Sequence, residues 1–335
     1  MTSLKLPSQK TVKGPLTEKN INELRDFGYT VVSDFLDSDT CDSIQNRWLS
    51  VIENYNCGFD REKSSEWKSV NLPIGIRGMQ DYPPIAQQSF VWDTRILLAP
   101  IFAALWNCEE EELVSSMDRV CFVPKTMLRR KNKSWWHLDQ AKTEKWGKLE
   151  CIQGFVTLED IDPGDVALQV LSGAHDYHAE FMKKLGEKHK DDWYKFKGED
   201  LEWYTSKPKV ELKSVFAKKG SVVLWDSRIP HQAQRDLEAM AKRIKKDNLN
   251  NRYVIYVCML PRERVKESKL AARIKAFEEG RATSHWPTEA KLFAKMPRWG
   301  AAEAITKYKF NQKKQLRHRD EKVTNPDLMR KLAGY

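Results

Sequence analysis

The stretch Ser134-Trp135-Trp136-His137-Leu138-Asp139 carries two side chains able to ligate a metal, spaced so that a strand would present them together. Side chains alternate across a strand, so His137 and Asp139 would share one face while Trp136 and Leu138 pack on the other. A second imidazole from a distant strand would complete a 2-His-1-carboxylate set, which holds Fe(II) on one face and leaves the opposite positions open for substrate and oxygen. His231 is the candidate for that third ligand. The competing reading of His137 is a core histidine whose ring nitrogens are satisfied by its surroundings.

A histidine with an acid two residues on selects nothing by itself, because four of the seven histidines have one. His178 with Glu180 and His189 with Asp191 lie in a polar run whose apolar residues, Tyr177, Phe181 and Leu185, recur at helical intervals. On a helix, positions i and i+2 do not face each other. His318 with Asp320 sits among charges with little to bury and reads as a solvated face. Only His137 lies in an apolar, aromatic segment suited to a strand.

The elements that must position these groups follow from periodicity. Residues 1–15, with Pro7, Gly14 and Pro15, read as a flexible tail. Residues 16–27 read as a helix with Thr17 near its start and Ile21, Leu24 and Phe27 on one side; residues 28–33 read as a strand. Ser38 is expected to cap a second helix reaching about residue 55, with Cys41, Ile44, Trp48 and Ile52 as its apolar stripe. Residues 56–84 have little periodicity and read as loop, part of it a lid. Residues 93–107 read as a buried helix interrupted or restarted at Pro100. Short apolar runs follow at 119–123, 134–139, 150–158, 166–171, 211–216, 221–225, 231–234 and 252–260, with one helical insertion near 176–206. This pattern predicts a fold that is mainly β with helical additions around a two-sheet jelly roll. The chain divides into the tail 1–15, a jelly-roll domain with N-terminal helices over 16–262, and a basic helical extension over 263–335.

A chain of 335 residues can bury a large core, as one big all-β domain with helical additions or as two smaller domains. Its longest nearly apolar run, residues 96–106, is about half of the roughly 20 residues a membrane helix needs. The first residues lack the apolar core of a secretory signal, so cytoplasmic residence is expected. Cys41, Cys57, Cys108, Cys121, Cys151 and Cys258 form no C-x-x-C pair, which favours buried reduced thiols over disulfides or a zinc cluster. The formal net charge of +10 suggests an anionic partner without naming it. The excess gathers in Arg129-Arg130-Lys131-Asn-Lys133, in Lys242-Arg243-Ile-Lys245-Lys246 and between Lys307 and Lys331. Because the first run leads into the His137 strand, it is expected to draw an anionic small-molecule substrate toward the site.

Several stretches together resemble one family. Phe27-Gly-Tyr-Thr-Val-Val-Ser-Asp-Phe-Leu36, within residues 16–48, is similar to the opening of phytanoyl-CoA dioxygenase-like proteins, a branch of the Fe(II)/2-oxoglutarate oxygenases. Asp160-Ile-Asp-Pro-Gly-Asp-Val-Ala-Leu-Gln-Val-Leu-Ser-Gly-Ala-His175 resembles the family segment that ends in Pro-Gly-Ser-His, with Ser172 and Ala174 in place of its proline and serine. Gly220-Ser-Val-Val-Leu-Trp-Asp-Ser-Arg-Ile-Pro-His231 resembles the strand and turn that deliver the distal iron histidine. Arg252-Tyr-Val-Ile-Tyr-Val-Cys258 resembles the next strand, which opens with the arginine that grips 2-oxoglutarate. The similarity spans most of residues 16–262 in the family's order.

The resemblance implies a double-stranded β-helix, Fe(II) held by His137, Asp139 and His231, and Arg252 paired with the distal carboxylate of 2-oxoglutarate. A guanidinium suits that task because its planar fork meets a carboxylate with two parallel hydrogen bonds. Arg235, Lys242 and Arg243 lie between His231 and Arg252 and are the alternative anchors. Gln153, on the strand after the first ligands with Phe155 and Thr157, is placed to face the cavity and bond 2-oxoglutarate or an oxygen at the iron; the competing reading is an inward polar residue tied to backbone. His175 is a substrate-facing candidate, and Arg228 reads as a structural ion pair near the site. Trp135, Trp136 and Trp225 read as core residues first. Halogenases of the superfamily lack the carboxylate ligand, so Asp139 favours hydroxylation with O2 and decarboxylation of 2-oxoglutarate to succinate. Two other readings remain: an oxygenase acting on a nucleic-acid base, motivated by the basic runs, and a catalytically inactive jelly roll serving as a binding or scaffold protein.

Overall fold

Alternation of side chains along antiparallel strands builds two facing sheets in the computed structural model, which describes residues 4–7, 14–55, 58–64, 67, 71–82, 85–127, 134–186, 189–245, 248–289, 292 and 323–335. In chain order the elements are α1 (Glu18–Asp26), β1 (Tyr29–Val32), α2 (Ser38–Asn54), β2 (Ile74–Ile76), β3 (Met79–Tyr82), α3 (Ser89–Trp106), β4 (Leu113–Ser115), β5 (Val120–Val123), β6 (His137–Leu138), β7 (Ile152–Thr157) and β8 (Val166–Ser172). They continue as α4 (His178–Leu185), β9 (Tyr194–Lys195), α5 (Asp200–Thr205), β10 (Glu211–Val215), β11 (Val222–Asp226), β12 (His231–Arg235), α6 (Leu237–Ile244), β13 (Arg252–Val257), β14 (Met259–Pro261), α7 (Glu267–Glu278) and α8 (Pro326–Ala333).

A seven-stranded sheet runs β1-β11-β7-β13-β5-β3-β2 and a five-stranded sheet runs β10-β8-β12-β6-β9, with β14-β4 as a separate pair. Their inner faces meet through Phe155, Leu168, Val170, Val223, Trp225 and Val254. The alternate residues of the larger sheet, among them Ile152, Val156, Leu224, Tyr253 and Ile255, face outward into a second core under the helices. There Trp48 of α2 packs against Phe90, Phe122 and Tyr253, with its indole N–H donating to Gln80 Oε1 at 3.0 Å. Truncating Trp48 to alanine would cost about 3–5 kcal/mol on the scale of buried aromatic deletions. On the far side of the smaller sheet, Trp136, Leu138 and Leu171 join Phe181, Tyr194 and Tyr204 of the inserted segment.

The expected strand runs become β5, β6, β7, β8, β10, β11 and β12, and the last splits at Cys258 into β13 and β14, which belong to different sheets. Thr17, expected near the start of α1, caps it, but α2 is capped by Asp37, whose carboxylate accepts from the Thr40 N–H, and Ser38, expected as its cap, is its first residue. Three segments depart from expectation. Residues 56–84 contain the β2–β3 hairpin, turned by Arg77 and Gly78 at φ 54° and 87°, the left-handed pair that a two-residue hairpin turn demands. The insertion read as helical includes β9, which pairs with β6. Finally, α3 begins at Ser89 and continues through Pro100 without a break. Phe90, Trp92, Leu98, Ile101, Phe102 and Leu105 of α3 are all buried, and that burial outweighs the hydrogen bond Pro100 removes. This helix is long and apolar enough to cross a membrane by length and composition, yet most of it is buried inside the molecule.

The region read as a C-terminal extension contributes to both the core and the cavity. Phe277 of α7 and Leu328, Met329 and Leu332 of α8 sit in the helical core. The segment between them is pinned by backbone contacts: Gln87 Nε2 donates to Arg281 O at 2.7 Å, Met117 N to Thr283 Oγ1 at 3.1 Å, and the buried Arg273 to Pro287 O at 3.0 Å.

Candidate active site

Register brings the predicted ligands together. In the antiparallel pair β6–β12, His137 and His231 are direct cross-strand partners, so both imidazoles rise on the inner face with ring centroids 4.3 Å apart. Asp139 follows on the same side as His137, its Oδ1 3.7 Å from His137 Nε2 and its Oδ2 3.3 Å from His231 Nε2. One ligand atom from each of the three residues lies within 4.8 Å of the others.

Both imidazoles are oriented from behind. His137 Nδ1 lies 3.0 Å from Trp135 O, and His231 Nδ1 lies 3.0 Å from Ile229 O. With each Nδ1–H donating to a carbonyl, each Nε2 presents its lone pair to the shared centre, the usual arrangement behind metal-bound histidine. Among the described residues His137 Nε2 has Asp139 Oδ1 at 3.7 Å as its polar neighbour, beyond hydrogen-bond distance. Burial, reinforced by neighbouring His231, pushes His137 down to about 3, which keeps it the neutral base a metal needs. Burial alone would raise Asp139, but His285, His137 and His231 around it hold its carboxyl well below the usual range. Two imidazoles and one carboxylate with open space beside them are the donor set suited to Fe(II).

Gln153 Nε2 donates to Asp139 Oδ2 at 3.2 Å, so this residue supports the carboxylate and is not tied to backbone. Trp286 Nε1 donates to Asp139 O at 3.2 Å from the C-terminal segment. The loop beyond Asp139 is fixed by Gln140, whose amide N–H groups reach Lys145 O and Lys148 O at 2.8 and 2.7 Å and whose Oε1 accepts from Ser227 Oγ at 2.6 Å.

These groups open onto a cavity of about 400 Å³, a size suited to small-molecule ligands. Its lining holds His137, Asp139, Gln153, His231 and Arg252 together, with Trp135, Trp193, Trp225, Tyr256 and His285. Arg252, at the start of β13, is 3% exposed; its Nη1 donates to Val166 O at 2.6 Å, while Nε and Nη2 are buried with no closer polar partners than the Tyr256 hydroxyl and the Cys121 thiol, neither in good hydrogen-bond geometry. Nearby Tyr256 and Cys121 supply no anion, because burial pushes the phenol up to about 12 and raises the thiol. A buried guanidinium with two unmatched donors fits a carboxylate group. The alternative anchors are engaged elsewhere: Arg243 Nη1 bonds Asp165 Oδ2 at 2.8 Å, Lys242 bonds Glu238 at 2.9 Å, and Arg235 donates to Gly164 O at 3.3 Å beside a smaller adjoining cavity.

Other predicted residues fall elsewhere. His175 is not in the cavity lining; its Nε2 meets Arg25 O at 2.9 Å beneath α1. Arg228 forms the expected structural ion pair, with Asp226 at 2.6 Å. Trp135 and Trp225, read as core, also form cavity wall. The basic run at 129–133 lies outside the described residues, as do Lys246, His318 and the tail from Lys307 to residue 322. Sequence reasoning missed His285, Trp286, Trp193 and Lys195, which come from a charged extension and a polar insertion with no strand pattern. Tyr256 was within reach, since it lies two alternations beyond Arg252 on the same strand.

Two facing antiparallel sheets with a His-Asp-His set on the smaller one are the double-stranded β-helix of the Fe(II)/2-oxoglutarate oxygenases. Residues 24–239 match the phytanoyl-CoA dioxygenase (PhyH) family, and the chain belongs to it. Ava biosynthesis cluster protein O of Aspergillus versicolor is 28% identical over 257 residues, covering 72% of this chain and 76% of that protein. The crystal structure of GlcNAc Inducible Gene 2, GIG2, from Candida albicans shares the fold with a TM-score of 0.53 at 13% identity, covering 97% of this chain and 78% of the other. EctD from S. alaskensis, crystallised with bound Fe, superposes with a TM-score of 0.49 at 15% identity over 78% of this chain and 83% of its own.

Proposed function

We propose that the protein is an Fe(II)- and 2-oxoglutarate-dependent dioxygenase that hydroxylates a small or medium-sized organic molecule. The observation that carries this reading is the convergence of His137 Nε2, Asp139 and His231 Nε2 within 4.8 Å, both Nδ1 atoms being turned to backbone carbonyls. Fe(II) held there, with 2-oxoglutarate and O2, supplies the oxidising power that turns a substrate C–H into C–OH while the oxoacid becomes succinate and CO2.

The chain's own residues do the positioning. Arg252 binds the distal carboxylate of the oxoacid through Nε and Nη2, its fork held in place by Val166 O. Gln153 fixes the rotation of the Asp139 carboxylate, and Trp286 holds its backbone. Trp135 stacks on His137 with centroids 4.5 Å apart, and with Trp225 and Leu168 it shields that side of the cavity from water. Residues 16–262 form the oxygenase domain; from beyond it, His285 adds to the cavity wall and Trp286 holds the Asp139 backbone. A similar protein named for a biosynthesis cluster favours a small-molecule substrate over a nucleic-acid base.

Succinate formation from 2-oxoglutarate tests the reading. With Fe(II) and air, wild type should release succinate slowly even without its substrate, and Asp139→Ala should release none. Equal release by both proteins, or none by wild type with Fe(II) bound, would contradict it.

A further inference from the structure

The outer wall of the cavity points to a substrate chemistry that the metal site does not specify; this step rests on the cavity being the oxygenase active site. Strand β9 is the outermost strand of the smaller sheet, and its register sets Lys195 opposite His137 and Tyr194 opposite Leu138. Cross-strand partners project from the same face, so Lys195 stands on the cavity side beside His137, and Trp193, two residues earlier, shares that side. Tyr194 locks the assignment: it packs outward against Phe181 and its hydroxyl donates to Asp200 Oδ2 at 2.9 Å.

His137 is thus flanked by two indoles, Trp135 at 4.5 Å and Trp193 at 6.2 Å between centroids. Trp193 is 53% exposed, a large flat apolar surface left uncovered on the cavity wall. Beside it the Lys195 ammonium makes no ion pair or hydrogen bond among the described residues. The acids of the lining are already engaged, Asp118 with Arg119 at 3.4 Å and Asp139 with Gln153 and the histidines. Arg77 lies over the Trp135 ring at 4.4 Å, so a cation already occupies that aromatic face. Cationic ligands are thereby disfavoured and anionic ones attracted.

We propose that the substrate is a flat aromatic carboxylate, its ring laid on the Trp193 indole and its carboxylate paired with Lys195. The full-length protein, with 2-oxoglutarate in saturating excess, would be titrated calorimetrically with 2-naphthoate and with 2-naphthamide, which share a ring and differ in charge. Wild type should bind the acid about tenfold or more tightly than the amide, the usual effect of a charge-assisted hydrogen bond. Lys195→Gln should erase that preference, and Trp193→Ala should weaken both probes several-fold. Equal binding of acid and amide by wild type, or a preference that survives in Lys195→Gln, would overturn the proposal. So would a preference that vanishes when 2-oxoglutarate is added, which would place the acid on Arg252. Failure of the oxygenase reading would register separately, as absent succinate formation with the acid preference intact.

Discussion

Replacing Arg252 with methionine should separate function from stability, because the two respond in opposite directions. Nη1 of this 3% exposed guanidinium is bonded to Val166 O, while Nε and Nη2 have only the neutral Tyr256 hydroxyl and Cys121 thiol near them, in poor geometry. If the distal carboxylate of 2-oxoglutarate takes both free donors, Arg252→Met removes two charge-assisted hydrogen bonds of about 1.5 kcal/mol or more each. The loss of about 3 kcal/mol weakens 2-oxoglutarate binding about a hundredfold. In the unliganded protein the same donors are a liability, since neutral, poorly aligned neighbours do not repay their burial and a poorly satisfied buried donor costs about 1–3 kcal/mol. Methionine fills comparable space without a charge to desolvate, which offsets the lost bond to Val166. The unliganded variant should therefore be at least as stable as wild type. The assay is the 2-oxoglutarate dissociation constant together with the urea midpoint without ligand. Arg252→Lys should fall between, retaining charge without the paired geometry. Unchanged affinity in Arg252→Met, or an unliganded variant several kcal/mol less stable, would show that Arg252 does not hold the oxoacid in this way.

Two further outcomes follow from single contacts. Gln153→Leu should weaken Fe(II) binding about 10–100-fold by freeing the Asp139 carboxylate, as supporting hydrogen bonds around metal ligands generally do; metal titration with unaltered affinity would remove Gln153 from that role. His178 is buried, with Nε2 donating to Gln140 O at 2.6 Å and Nδ1 accepting from Gly147 N at 3.1 Å, and burial pushes it down to about 4. The unfolded chain therefore protonates at this residue before the folded one does. Stability present above about pH 6.5 should decline as pH falls toward 4, by up to roughly 3 kcal/mol from this group. His178→Gln should lose that share of the acid sensitivity, read as urea midpoints at pH 7 and about pH 4.5; identical acid sensitivity in both proteins would show that His178 is not its source.

The ligand strand was legible because three signals agreed there. Trp136 and Leu138 needed one apolar side, His137 and Asp139 the other, and the resemblance of residues 220–231 to the family's distal-histidine segment pointed to His231. The same alternation put Gln153 on an inner face, and the resemblance supplied Arg252. What failed to show were features set by tertiary context. Strand β9 is two residues long and exists because β6 offers an edge beside it, so Trp193 and Lys195 had no periodic signature. The β2–β3 hairpin turns on an arginine held at positive φ, where turn chemistry prefers asparagine or glycine. His285 reaches the cavity on an irregular segment whose path is fixed by Gln87, Met117 and Arg273, residues scattered through the chain. Pro100 marked a helix break that burial of most of the helix overrode.

We propose that His137, Asp139 and His231 hold Fe(II) with an open side at which Arg252 holds 2-oxoglutarate. Anaerobic titration with Fe(II) and then 2-oxoglutarate, watched in the visible range, tests it most directly. Wild type should develop the charge-transfer absorption of an oxoacid chelated to Fe(II), Asp139→Ala should show it weakened or shifted, and Arg252→Met should need about a hundredfold more 2-oxoglutarate to reach it. A wild-type protein that develops no such absorption would contradict the claim and leave the fold as a jelly roll without oxygenase chemistry.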